Sequence, residues 1–165
     1  MDATIHTAYL STPIGVLRIT GSEQGIATVL FCDDMDETAA AEVPECLQAC
    51  VQQLKEYFEG ARREFSLMLS PTGTVFQKQV WQQLETIPYG KTSSYLSVAR
   101  AVSGEKAIRA VGAANGRNPL CIVVPCHRVI GSDGSLTGYA GGLWRKEWLL
   151  QHEGVLQKSM QGSLF

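Results

Sequence analysis

The sequence predicts an α/β N-terminal domain with a small antiparallel sheet, followed by a mainly α-helical C-terminal domain with a helix-turn-helix. Two observations lead there, and a third sets the two halves apart. Short apolar runs broken by Gly and Pro fill the start of the chain. Apolar residues at helical spacing dominate the second half. The charge also changes sign: residues 1–75 carry 4 Lys/Arg against 11 Asp/Glu, and residues 76–165 carry 10 against 5. SPTGT at 70–74 is the natural break, so the domains are set at 1–74 and 75–165.

Strands are expected at about 4–9, 15–20 and 25–32, because Pro13, Gly15, Gly21 and Gly25 punctuate three apolar runs. The acidic run DDMDE at 33–37 reads as a solvated connection. From Val43 to Phe58 the apolar positions 46, 47, 50, 51, 54 and 58 follow the period of an amphipathic helix, with Gly60 as its stop. EFSLMLSP at 64–71 alternates and is expected to return to the sheet.

In the second half, Phe76, Val80, Trp81 and Leu84 line one side of a helix that ends before IPYG. A second helix fits Thr92–Val102 and a third runs from Lys106 to Gly116. The turn between them holds Gly104, the spacing of a DNA-binding helix-turn-helix. CIVV at 121–124 reads as a short apolar strand, GSDGSLTGYAGG at 131–142 as a glycine-rich loop, and WRKEWLLQHE at 144–153 as a last helix closed by Gly154.

The chain has 165 residues, enough for one fair-sized core or two small ones. No apolar run approaches the ~20 residues of a membrane span, and MDATIHTAYL lacks the layout of a signal peptide. A soluble intracellular protein is expected, with no membrane partner. The five cysteines at 32, 46, 50, 121 and 126 are irregularly spaced, which argues against a disulfide framework. None of His6, His127 and His152 stands at ligand spacing from a cysteine pair, so no metal is expected.

The chemistry concentrates at PCHRV, 125–129. A proline and a strand hold the backbone of Cys126, and His127 and Arg128 favour its thiolate. His127 is a candidate base. In an extended segment neighbouring side chains point apart, so a turn or a bridging water must connect the two. A base of this kind needs an orienting acid, and Glu147 and Glu153 of the last helix both qualify. The glycine-rich loop lets backbone approach a flat ligand, with Tyr139 as a wall. It matches neither a phosphate loop nor a dinucleotide fingerprint.

IPYGKTSSY (87–95), RAVGAANGRNP (109–119), IVVPCHRVIG (122–131), LTGYAGG (136–142) and RKEWLLQHEG (145–154) together resemble the O6-alkylguanine-DNA alkyltransferases. The resemblance covers 76–154 almost without a gap, and STPIG and LKEYFEG extend it more loosely into the first half. It implies a C-terminal domain of winged helix-turn-helix type that binds alkylated duplex DNA from the minor-groove side and flips the damaged nucleotide into a pocket. The alkyl group of O6-alkylguanine would then move to a cysteine, once per molecule and without a cofactor. O4-alkylthymine is open as a second substrate.

Carried onto this chain, Cys126 resembles the alkyl acceptor, His127 the base acting through water, and Glu153 the acid that orients it. Asn118 resembles the residue that braces the turns around the site. Tyr95 resembles the donor to guanine N3, and Arg109 the finger that fills the gap in the stack, beside Ala110. Arg128 is expected at the DNA surface. Tyr139, Ala140 and the carbonyls of Cys126 and Val129 are expected to line the base pocket. The resemblance also implies a monomer, nucleoid-associated in the cytoplasm of a prokaryote or nuclear in a eukaryote. Two departures stand out: Gly104 is followed by Glu105 and Lys106 where relatives often have proline, and Cys121 lies where they often have proline or alanine. The competing readings are a cysteine hydrolase using Cys126, His127 and Glu153, and a DNA-damage sensor without chemistry.

Overall fold

The computed structural model describes residues 4–34 and 42–155. The chain forms two compact units. One comprises Met1–Thr72 with Pro119–Val123, and the other Gly73–Asn118 with Val124–Phe165.

In the first unit, β1 (His6–Thr12), β2 (Gly15–Ser22) and β3 (Gly25–Phe31) form an antiparallel sheet in that order. Ala8 and Leu10 alternate inward on β1, and Leu17 and Ile19 are fully buried on β2. The β1–β2 turn is tied by the Thr12 hydroxyl, which donates to the Gly15 carbonyl at 2.7 Å. Helix α1 (Glu45–Phe58) covers the sheet with Leu47, Cys50, Val51, Leu54 and Tyr57. Each such burial is worth about 1.5–3 kcal/mol. Burial also pushes the Cys50 thiol up to about 12, so it is an inert part of this core.

Gly25 has φ +138°, and a Cβ there would lie 2.9 Å from the Met68 carbonyl oxygen. That close approach admits the return of 64–71 to the sheet, which is narrower than expected: one parallel bridge, Ile26 to Leu69. The acidic run at 33–37 lies largely outside the described residues.

The expected strand at 121–124 is corrected. Leu120 bridges to Val29, and Cys121 donates its N–H to the Val29 carbonyl at 2.9 Å. The chain then turns through Ile122, whose φ is +75°. A β-branched residue rarely adopts that conformation. An apolar run of this length signals burial, and here the buried conformation is a turn.

In the second unit, α2 (Val75–Leu84) starts at a reciprocal cap: Thr74 accepts from the Gln77 N–H and Gln77 accepts from the Thr74 N–H. Trp81 donates from its indole to the Ala114 carbonyl at 2.9 Å, tying α2 to α4 (Ile108–Gly116). Helix α3 (Tyr95–Val102) begins three residues later than expected, because Ser93–Ser94 form a short strand, β4, parallel to β5 (Val129–Ile130). Ser94 then caps α3 by accepting from the Ser97 N–H. Gly104 turns the chain at φ +127°. A single 3-10 turn over Glu105–Ala107 leads into α4, completing the helix-turn-helix. Helix α5 (Leu143–His152) closes the unit, with Gly154 at φ +81° just past its end. An N-terminal sheet domain and a helical C-terminal domain of winged helix-turn-helix type are the predicted fold class.

Candidate active site

The segment Cys126–Arg128 is a 3-10 turn, not an extended strand end. Its N–H groups are held from within: Cys126 donates to the Val124 carbonyl and Arg128 to the Pro125 carbonyl. Asn118 braces the same turn, donating from Nδ2 to the Val124 carbonyl at 2.8 Å. Neighbouring side chains in such a turn no longer oppose each other, which removes the difficulty posed by an extended Cys-His pair.

The turn is buried, with Cys126 4% exposed and His127 fully covered. His127 Nε2 stands 2.7 Å from Glu153 Oε2. Glu153 also accepts from Arg128 Nε at 2.7 Å and Nη2 at 3.1 Å. Arg128 Nη1 donates to the Ile87 carbonyl at 2.7 Å. Between the two acids the sequence could not separate, the structure puts Glu153 on His127. Glu147 instead accepts from Gln151.

Electrostatics fix the protonation pattern. Burial alone would raise the Glu153 carboxyl, but its bonds to His127 and Arg128 outweigh burial and hold it well below the carboxylate range. Burial lowers His127 more than Glu153 raises it, so the imidazole is neutral near pH 7. An ionised Glu153 only accepts, so the imidazole proton sits on Nε2. Nδ1 therefore carries the lone pair, and this buried nitrogen has no hydrogen-bond partner among the described residues. The arrangement is an oriented base with its accepting atom unspent, on the residue next to a thiol.

Arg128 is a correction. The expectation places it at the DNA surface, but it is 6% exposed and bonded to Glu153 and Ile87. A buried carboxylate requires a permanent cation, and Arg128 is that cation. Arg109 and Ala110 do lie exposed, in the first turn of α4.

The glycine-rich loop forms a second wall. Tyr95, the first residue of α3, donates its hydroxyl to the Thr137 carbonyl at 2.9 Å. Tyr139 is half-buried and Ala140 exposed, while Val129 is fully buried.

Two residues of the site were not foreseen. Lys146 is fully buried, and its ammonium donates to the carbonyls of Thr137 at 2.7 Å and Gly138 at 3.4 Å, lying 5.7 Å over the Tyr95 ring. No carboxylate among the described residues pairs with it. Burial pulls its pKa down to about 8, and the charge of Cys126 acts in the opposite sense. Asn115 on α4 is 3% exposed and donates from Nδ2 to the Cys126 carbonyl at a long 3.4 Å. The helical period offered a signal for Lys146: positions 146, 149, 150 and 153 share one face of α5, so a lysine and a glutamate fall on its apolar stripe.

Among the described residues no group of three His, Cys, Asp or Glu side chains is placed to hold a metal ion, and no helix is long and apolar enough to cross a membrane.

Fold and site together define a two-domain protein with a buried cysteine, next to a glutamate-bound histidine, built into a helix-turn-helix domain. Residues 75–155 match the family described as 6-O-methylguanine DNA methyltransferase, DNA binding domain, and residues 5–71 its ribonuclease-like domain. The methylated-DNA–protein-cysteine methyltransferase of Methanosarcina acetivorans is 45% identical, over 91% of this chain and 99% of that one. The constitutive enzyme of Bacillus subtilis is 49% identical, over 89% and 94%. The crystal structure of Mycobacterium tuberculosis O6-methylguanine methyltransferase superposes with a TM-score of 0.81 at 40% identity, covering 97% of this chain and 99% of that one. A complex of the mycobacterial protein with DNA matches equally well, over 94% and 97%. The chain belongs to the 6-O-methylguanine DNA methyltransferase family, a class of DNA-repair alkyltransferases.

Proposed function

We propose that this protein moves the alkyl group of O6-alkylguanine in duplex DNA onto the Cys126 thiolate, one group per molecule. The observation that carries the reading is the buried set Cys126, His127 and Glu153, with Nδ1 of His127 lacking a hydrogen-bond partner among the described residues. The thiol gives its proton through one water to Nδ1. Glu153 holds Nε2–H and stabilises the imidazolium that forms. The thiolate attacks the alkyl carbon, and the S–C bond forms as the C–O6 bond breaks. The electron pair passes to the guanine ring, where a hydrogen bond from Tyr95 to N3 relieves the charge. The proton lifted from the thiol balances the one that guanine regains. The thioether resists water, so the reaction stops at one event.

The guanine O6 of a stacked pair is out of reach of a buried thiol, which supports extrusion of the nucleotide. Arg109, exposed at the start of α4, enters the stack in its place, and Ala110 beside it leaves room for the backbone to approach. The net positive charge of residues 76–165 serves phosphate contacts, so binding is weakened by salt and insensitive to sequence. In this reading the protein acts as a monomer wherever the cell keeps its DNA.

A duplex carrying O6-methylguanine tests the reading. The wild-type protein removes one methyl group per chain and stops. Cys126→Ser binds the same duplex and removes none. Repeated turnover, or removal by Cys126→Ser, contradicts it.

A further inference from the structure

One carbonyl in the glycine-rich loop is bonded twice. The Thr137 oxygen accepts from the Tyr95 hydroxyl at 2.9 Å and from the Lys146 ammonium at 2.7 Å. A carbonyl has two lone pairs and can take both. The two donors differ in what else they do. The loop carbonyls of Thr137 and Gly138 are the partners of Lys146, a buried cation with no carboxylate among the described residues. Tyr95, by the function proposed above, must give its hydroxyl to the bound base. It cannot donate one proton to Thr137 and to guanine N3 together.

We propose that Lys146 is a positioning residue that holds the loop carrying Thr137 and Gly138 while Tyr95 turns its hydroxyl from the loop to the base. The proposal rests on Tyr95 being the base donor. Without Lys146, releasing Tyr95 leaves the Thr137 carbonyl without its two donors and the loop untethered at the moment the pocket must hold its shape. Tyr95 then either stays on the loop and fails the base, or reaches the base and loosens the wall. With Lys146, the second bond is already made, and the move of Tyr95 costs the loop little. Loss of the lysine therefore acts through Tyr95. The burial that lowers Lys146 still leaves it largely charged near pH 7, and a charged donor bonds a carbonyl more strongly than a hydroxyl does.

A double-mutant cycle on the methyl-transfer rate tests this, using full-length protein and a duplex with O6-methylguanine. The variants are Tyr95→Phe, Lys146→Met and their combination. Tyr95→Phe is expected to slow the wild-type protein about 10-fold or more, and to slow Lys146→Met less than about 3-fold. Lys146→Gln, which keeps a neutral donor, restores part of the rate and part of the sensitivity to Tyr95→Phe. It also keeps the cycle measurable if the methionine variant folds poorly. Equal slowing in both backgrounds overturns the proposal, since a lysine that merely packs adds independently. No slowing of the wild-type protein by Tyr95→Phe removes the assigned role of Tyr95, and the proposal with it.

Discussion

His127 Nε2 and Glu153 Oε2 stand 2.7 Å apart with both side chains fully buried. The same carboxylate holds Arg128 at 2.7 Å. One acid therefore sets the tautomer of the base and neutralises a buried cation. Replacing it with glutamine removes both services. Glu153→Gln leaves Arg128 buried and uncompensated, a loss of about 3–5 kcal/mol. Denaturant unfolding at pH 7 measures that loss. Methyl transfer by the fraction still folded falls as well, because a glutamine can present either a donor or an acceptor to Nε2.

The same cluster makes stability fall in acid in two stages. His127 is held below its ordinary value of 6.5. Below pH 6.5 the unfolded chain takes up a proton that the folded protein refuses, so stability declines from there. Glu153 is held below its ordinary 4.5, so its contribution is complete above that pH and is lost as the pH falls toward the folded value. Urea midpoints measured from pH 8 to pH 3 are expected to decline first below 6.5 and more steeply below 4.5. A flat profile over that range contradicts the assignment.

Lys146 gives the opposite relation between stability and activity. Its pKa falls from 10.5 to about 8 on folding, so the folded state is penalised as the pH drops through that interval and fully below it. Lys146→Met removes the penalty and is expected to stabilise the protein at pH 7 by about 1–3 kcal/mol while slowing methyl transfer. The stabilisation shrinks as the pH approaches 10.5. Thermal melts of both proteins at pH 7 and pH 10 measure this. A variant less stable than wild type at pH 7 contradicts it.

Much of this molecule is legible in the order of its residues. The strands around Leu10, Ile19 and Val29 announce themselves by alternation and by bounding glycines, and α1 by its apolar period. These signals are local, as the forces behind them are. The misreadings occur where a distant partner decides. CIVV has the composition of a strand, but its pairing with β3 at Val29 ends at Cys121 and the chain turns at Ile122. Thr92 to Ser94 fit a helix until Val129 and Ile130 draw the serines into a strand pair. Arg128 looks like a surface cation until Glu153 arrives from the end of α5, 25 residues away. Cys126 and His127 stand out because adjacency is visible in sequence. Asn115 does not, because it is defined by the carbonyl it reaches, and for Lys146 the period of α5 marks the burial but not the carbonyls it bonds.

The central claim is that the alkyl group ends on Cys126. Intact-protein mass measurement after incubation with a duplex carrying O6-methylguanine, followed by peptide mapping, tests it directly. The expected result is a gain of one methyl group per chain, saturating there and located on the peptide that contains Cys126. Demethylated DNA with no gain in protein mass, or a methyl group mapped to Cys32, Cys46, Cys50 or Cys121, would contradict it.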